Sequence, residues 1–269
     1  MHLSCSMSVV ADREAPAALA HIAELGFRRF DLFALERYGQ VWPSRLAAEG
    51  PWGALGRAIV RASAEAGLQA ASFNCSFSQP VNDPAPEARR GVEAEFGALL
   101  SLAEEMGCPN LTLQVGGRAD GVTAAEALDA ARAGLERLAE LAGDSVGLSF
   151  EPHQGSVAER PRDALSLARR LWPGVGVTYD PSHFVMQPEV GSLVESEPLL
   201  EYTRHVHLRN AARGRMQAPM AEGEVDFGWV IEALRGRGYE GAVAIEYLEA
   251  AEADALALRE VLLGLGVSP

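Results

Sequence analysis

Apolar runs of strand length alternate with helix-period runs eight times along this chain, and that alternation limits the fold more than any other feature. The strand runs are Leu3–Val10, Phe27–Phe33, Leu68–Phe73, Leu111–Val115, Val146–Glu151, Val175–Asp180, His205–Arg209 and Ala242–Tyr247. The helical runs between and after them are Pro16–Leu25, Leu55–Ala66, Ala88–Met106, Ala124–Leu141, Asp163–Leu171, Leu193–Tyr202, Phe227–Arg237 and Ala253–Leu265. Eight strand–helix pairs in about 250 residues are what a (β/α)8 barrel of the TIM type requires. A doubly wound open sheet competes, but it usually has fewer strands and a glycine-rich first turn, and no GxGxxG follows the first strand. Gly26, Gly67, Gly107 and Gly238 each follow a helical run, as a helix C-cap does. Pro16 suits a first helical turn, and Asp226 can cap the seventh helix. With no linker, repeat or low-complexity tract, residues 1–269 are expected to form one domain.

Composition removes several chemistries. None of the 23 basic residues is lysine, so Schiff-base and pyridoxal-phosphate enzymes and Walker phosphate loops drop out. HExxH and EF-hand patterns are absent as well. A formal charge of −14 opposes a nucleic-acid partner and leaves a small neutral or weakly charged substrate as the easier assumption. Cys5, Cys75 and Cys108 are odd in number and lack CxxC spacing, which argues for buried, inert thiols. No apolar stretch approaches the roughly 20 residues of a membrane span. The start MHLSCSMSVV has no basic n-region or cleavage site, so a cytoplasmic protein without membrane contact is expected.

Four strand runs end on an ionisable side chain: Glu151 in VGLSFEPH, Asp180 in VGVTYDPSH, His207 in RHVHLRN and Glu246 in GAVAIEYL. A buried charge costs several kcal/mol unless compensated. Four strands ending alike imply one shared compensator. The two-residue period puts Gly147, Ser149 and Glu151 on one face, and likewise Gly176, Thr178 and Asp180; His205, His207 and Arg209; and Ala242, Ala244 and Glu246. The bulky face must meet the helices, so the small and polar face points into the barrel. The four groups therefore project inward at the C-terminal strand ends, where barrel enzymes place their sites. Three oxygen donors and one imidazole suit one divalent ion, Mn²⁺ first, with Mg²⁺, Co²⁺ or Zn²⁺ as alternatives.

GFRRFDLF, EPH, DPSHF, HVHLRN, AEGEVDF and IEYL, taken in this order from the second strand to the eighth, make the chain resemble the xylose-isomerase-like barrel superfamily. Within it the likeness is to sugar and sugar-phosphate isomerases and epimerases, including ketose 3-epimerases. The resemblance implies that Glu151, Asp180, His207 and Glu246 bind one metal. It also implies that His183 and an arginine shortly after the metal histidine, Arg213 or else Arg209, hold substrate. Dimers or tetramers are common among such relatives and are expected here on that ground alone. Asn210 stands where many relatives carry aspartate, and Ala221 where glycine is common. Xylose isomerase uses a lysine beside its metals for a hydride shift, so this chain is expected to transfer a proton instead.

The expected chemistry is Lewis-acid polarisation of a ketose carbonyl, removal of the neighbouring C–H proton by a carboxylate, and return of a proton to the resulting metal-held enediolate. Glu151 and Glu246 are the expected proton carriers. Gln114, His153 and Trp42 are further substrate candidates, and Asn74 shares a position like that of Gln114. Tyr38, Trp42 and Trp52 mark a long segment, 34–52, whose aromatic rings suit a sugar face. His205 reads as a hydrogen-bonded core histidine, His2 and His21 as surface or packing residues, and Asp31 as structural. The competing readings are a dehydratase of a cyclic hydroxyketone on the same barrel, an AP-type endonuclease and a non-catalytic sugar-binding barrel. The endonuclease needs extra early-strand histidines, which LQAASFNCSF lacks.

Overall fold

The computed structural model describes residues 1–50, 53–189, 191–248 and 251–269. Eight parallel strands close on themselves in sequence order: β1 His2–Ser6, β2 Arg29–Leu35, β3 Gln69–Ser76, β4 Asn110–Gln114, β5 Gly147–Glu151, β6 Val175–Tyr179, β7 Thr203–Leu208 and β8 Ala242–Ile245. Around them lie α1 Ala15–Glu24, α2 Pro43–Glu49, α3 Ala54–Ala66, α4 Pro86–Glu105, α5 Ala124–Ala142, α6 Pro161–Leu171, α7 Ser182–Met186, α8 Leu193–Ser196, α9 Phe227–Gly236 and α10 Glu252–Gly264. This is the (β/α)8 barrel expected from the alternation. No helix among the described residues is long and apolar enough to cross a membrane.

The differences from the sequence reading are local. The first strand stops at Ser6 and not at Val10, because Ser6 Oγ accepts the Ser8 amide and starts a 3-10 turn over Met7–Val10. The helix expected at Leu193–Tyr202 divides into α8 and a 3-10 helix, Glu197–Tyr202. Two short helices were not foreseen. One is α2, started by Pro43 and tied down by Ser44, whose amide and hydroxyl both donate to the Glu36 carboxylate. The other is α7, directly after β6. Gly26, Gly67, Gly107 and Gly238 all take the positive φ of a helix C-cap, and Asp226 accepts the Trp229 amide at the start of α9.

Outward-facing residues of the strands, such as Phe30, Phe73, Phe150, Val177, Tyr179, Val206 and Ile245, are buried beneath the helices. The inward face is polar instead of aliphatic, and bonds cross the barrel to satisfy it. Thr112 on β4 meets Thr178 on β6 at 2.8 Å, and Thr178 meets Ser149 on β5 at 2.7 Å. Asn110 donates to Ser72 and Ser149 at 3.0 and 2.9 Å. One layer higher, Asp31 accepts from Ser4 at 2.6 Å and faces His205 Nε2 at 2.5 Å. These inward polar groups thus find partners on other strands. The three cysteines are buried and free.

Thr178 is the hub of the lower web. Thr178→Val keeps its shape and removes one hydrogen bond from each of the Thr112 and Ser149 hydroxyls. The variant is expected to lose about 1–3 kcal/mol of unfolding free energy in urea titrations. An unchanged midpoint would show that the web contributes nothing.

Candidate metal centre

Above the Asp31 layer, the upper ends of β5, β7 and β8 bring Glu151, His207 and Glu246 together, with one ligand atom of each within 4.8 Å of the others. His207 Nδ1 lies 3.0 Å from Glu151 Oε1 and 3.5 Å from Glu246 Oε2. All three side chains are buried. Behind the imidazole, Asp31 Oδ2 stands 3.4 Å from His207 Nε2, which has no well-formed hydrogen bond. An N–H turned toward Asp31 leaves the Nδ1 lone pair facing two carboxylate oxygens. That arrangement is repulsive until a proton or a cation stands among the three, and a metal-binding histidine backed by a carboxylate has this form. The donors therefore fit a divalent ion by spacing and by type.

The proton affinities carry the same message. Burial alone would depress His207, but the charge of Glu246 and contacts with Asp31 and Glu151 outweigh it and hold the imidazole well above its ordinary value. Burial raises Glu246, helped by the charges of Glu151 and Asp180, and the cations of His207 and Arg209 do not fully cancel it. Burial also pushes on Glu151, but its bond to His207 and the charge of that ring prevail and draw it down to about 2. His207 and Glu246 thus hold their protons more firmly than usual, and Glu151 gives its own up more readily.

Asp180 follows β6 directly and is buried, but it lies outside the close triple. Its Oδ1 accepts the Ser182 amide at 2.8 Å, and its Oδ2 takes Arg209 Nη2 at 2.9 Å. Arg209 also donates to Glu246 Oε2 at 3.0 Å, so one guanidinium spans two of the four expected ligands. This buried arginine was foreseen as a possible substrate contact, and the structure occupies it with protein groups instead.

His183, on α7, is buried. Its ring lies 4.3 Å from that of His153, and Glu151, His153 and His183 form a second close group. Burial, then the charges of His153 and Arg209, hold His183 well below its ordinary value and keep it neutral. Gln114 ends β4 directly opposite Glu151 in the strand register. Asn74 Nδ2 donates to Glu246 Oε1 at 2.7 Å, while its buried Oδ1 has no partner. Asn74 thus orients a carboxylate, a role the sequence did not single out. His205 is the hydrogen-bonded core histidine expected, and Asp31 is its partner.

The remaining candidates lie on the rim. Trp42 is 44% exposed at the start of α2, its indole donating to the Gly39 carbonyl, and Tyr38 is 83% exposed. Trp52 falls outside the described residues. Arg213 is exposed in the loop after β7 and is not brought to the close triple. That loop is pinned by Asn210, whose Oδ1 accepts the amides of Ala211 and Val225 and whose Nδ2 donates to the Met220 carbonyl. A Cβ on Gly223 would fall 1.9 Å from the Asn210 side chain, so the AEGEVDF segment packs flat against it. An aspartate at position 210 would lack the donor for Met220.

Comparison with known proteins places the fold and the family. The sequence matches the family described as xylose isomerase-like TIM barrel over residues 19–263. No curated protein matches the chain. Among solved structures, the apo form of 3-keto-D-glucoside 4-epimerase from E. coli is similar at a TM-score of 0.75 and 18% identity, covering 99% of each chain. D-psicose 3-epimerase from Clostridium cellulolyticum H10, solved with D-tagatose, gives 0.79 and 13%, covering 99% of this chain and 100% of its own. A xylose isomerase-like TIM barrel protein from Mycobacterium smegmatis, in complex with magnesium, gives 0.71 and 17%, covering 98% and 96%. At such identities these likenesses establish the fold. The match along nearly the whole sequence establishes the family, and the chain belongs to the xylose isomerase-like TIM barrels.

Proposed function

We propose that this chain is a divalent-metal-dependent sugar or sugar-phosphate epimerase or isomerase that works by proton transfer. The observation that carries the reading is the convergence of Glu151, His207 and Glu246, with the imidazole nitrogen 3.0 and 3.5 Å from the two carboxylate oxygens. Asp180, on the neighbouring strand end, is the proposed fourth ligand. Two solved neighbours are named for epimerisation and one was solved with magnesium, which supports both the reaction class and the ion. Mn²⁺ is the first choice, because oxygen donors with one imidazole suit it well.

When bound, the ion would polarise the substrate carbonyl as a Lewis acid. The chain's own groups do the rest. Glu151 and Glu246 flank His207 from β5 and β8 and are the proposed carriers that remove a C–H proton and return one. Delivery on the opposite face gives an epimer; delivery at the neighbouring carbon gives an aldose–ketose isomer. The unpartnered Oδ1 of Asn74 is available to accept a sugar hydroxyl, which would satisfy a buried acceptor. Gln114, His153 and His183 are the further proposed substrate contacts, with Trp42 and Arg213 proposed for the outer end of a substrate. The proposed partner is thus a small sugar or polyol, handled by a single-domain protein in the cytoplasm as a homo-dimer or homo-tetramer.

Saturating Mn²⁺ should raise the melting temperature of the metal-stripped protein, by an increment equivalent to about 2.7 kcal/mol at a hundredfold excess over Kd. His207→Ala should abolish the shift. A shift that survives in this variant would place the ion elsewhere. For the reaction, a panel of ketoses incubated with Mn²⁺-loaded enzyme in D2O should include one whose carbon-bound hydrogen exchanges with solvent. Glu246→Gln should slow that exchange by roughly 10²–10⁴-fold. Exchange at the wild-type rate would remove Glu246 as a carrier, and no exchange with any ketose would overturn the proposal.

A further inference from the structure

Arg209 has no donor free for a substrate. Its Nε–H reaches Ser182 Oγ at 3.0 Å. Nη1 reaches the Glu246 carbonyl at 3.3 Å and Glu246 Oε2 at 3.0 Å. Nη2 reaches Asp180 Oδ2 at 2.9 Å and His183 Nε2 at 3.2 Å. These contacts use all five N–H bonds of a guanidinium. Among the described residues it is the one arginine that is buried, at 2% exposure. A guanidinium so enclosed is built into the centre and does not await a ligand.

The charges then add up in a particular way. Glu151, Asp180 and Glu246 bring three negative charges into a desolvated space, and Asp31, one layer below, is turned to His205. Arg209 supplies one positive charge. Counted over the top-layer carboxylates and Arg209 alone, two remain to be supplied, which is the charge of a divalent cation. The fork geometry matters as well: two carboxylates on different strand ends are gripped by one planar group, which a lysine ammonium cannot do.

We infer that Arg209 is a positioning residue and the permanent counter-charge of the centre, holding Asp180 and Glu246 in place and setting the missing charge at that of one divalent ion. This inference depends on the metal reading above. It assigns Arg209 a part in choosing the ion and removes it from the substrate contacts.

Parallel titrations of the full-length, metal-stripped protein with Mn²⁺ and Tb³⁺ test it, in wild type, Arg209→Met and Arg209→Lys. A neutral residue leaves three negative charges, so the ratio of Tb³⁺ to Mn²⁺ affinity should rise by roughly tenfold or more in Arg209→Met. Arg209→Lys keeps the charge and should hold the wild-type ratio even where both ions bind more weakly. Loss of geometry alone weakens both ions together and leaves the ratio in place. Should Arg209→Met fail to fold, Arg209→Gln carries the same expectation. An unchanged ratio in the neutral variant overturns the inference while the metal reading stands. A wild-type protein that binds neither ion brings down the metal reading and this inference with it.

Discussion

A closed barrel has one axis, and every inward side chain of eight strands must find its partner across it. That constraint organises this molecule. The inward faces carry serines, threonines, asparagines, histidines and carboxylates, and leaving any of these unsatisfied in a buried space is costly. The result is a stack of polar layers. Hydroxyls and amides pair at the bottom, Ser4, Asp31 and His205 pair above them, and the carboxylates stand at the top. Four buried side-chain atoms among the described residues lack a hydrogen-bond partner, and two of these, Asn74 Oδ1 and His207 Nε2, belong to the top layer. Satisfaction runs out where the fold family places its chemistry.

The top layer is costly. Removing one partner of a buried ion pair costs about 3–5 kcal/mol, and apolar residues of similar volume often serve stability equally well. A cluster of three carboxylates, an arginine and an imidazole is therefore poorly explained as a stabilising device. Its geometry is set by neighbouring groups: Asn74, Ser182 and Arg209 each hold a carboxylate oxygen, as a preorganised site requires. Asp31 plays the same part behind His207, which links the middle layer to the imidazole above it.

Around this rigid floor the loops are tied down individually. Glu36 anchors the start of α2 beneath Trp42, and Asn210 gathers the chain from residue 211 to residue 225 beside the mouth. These devices differ in kind from the inward layers, because they satisfy backbone groups of irregular segments instead of filling a barrel. Substrate choice within such a fold is a matter for these segments, since the strand ends carry the shared chemistry.

The sequence by itself determined the eight-fold alternation, the inward faces of strands five to eight and the placement of Glu151, Asp180, His207 and Glu246 at the strand ends. All of these follow from local periodicity, which a single strand or helix obeys on its own. It also marked His205 as a core residue, because it lies one layer below His207 on the same face. Tertiary structure alone decided which groups meet. That Arg209 spans Asp180 and Glu246, that Asn74 from β3 holds Glu246 from β8, and that Asp31 reaches both histidines of β7 depend on how the barrel closes. The short helices α2 and α7 escaped for a related reason: each is too short to show a period, and α2 is tied down by a side chain from outside the helix. Local pattern says which way a side chain points; only closure of the barrel says what it finds there.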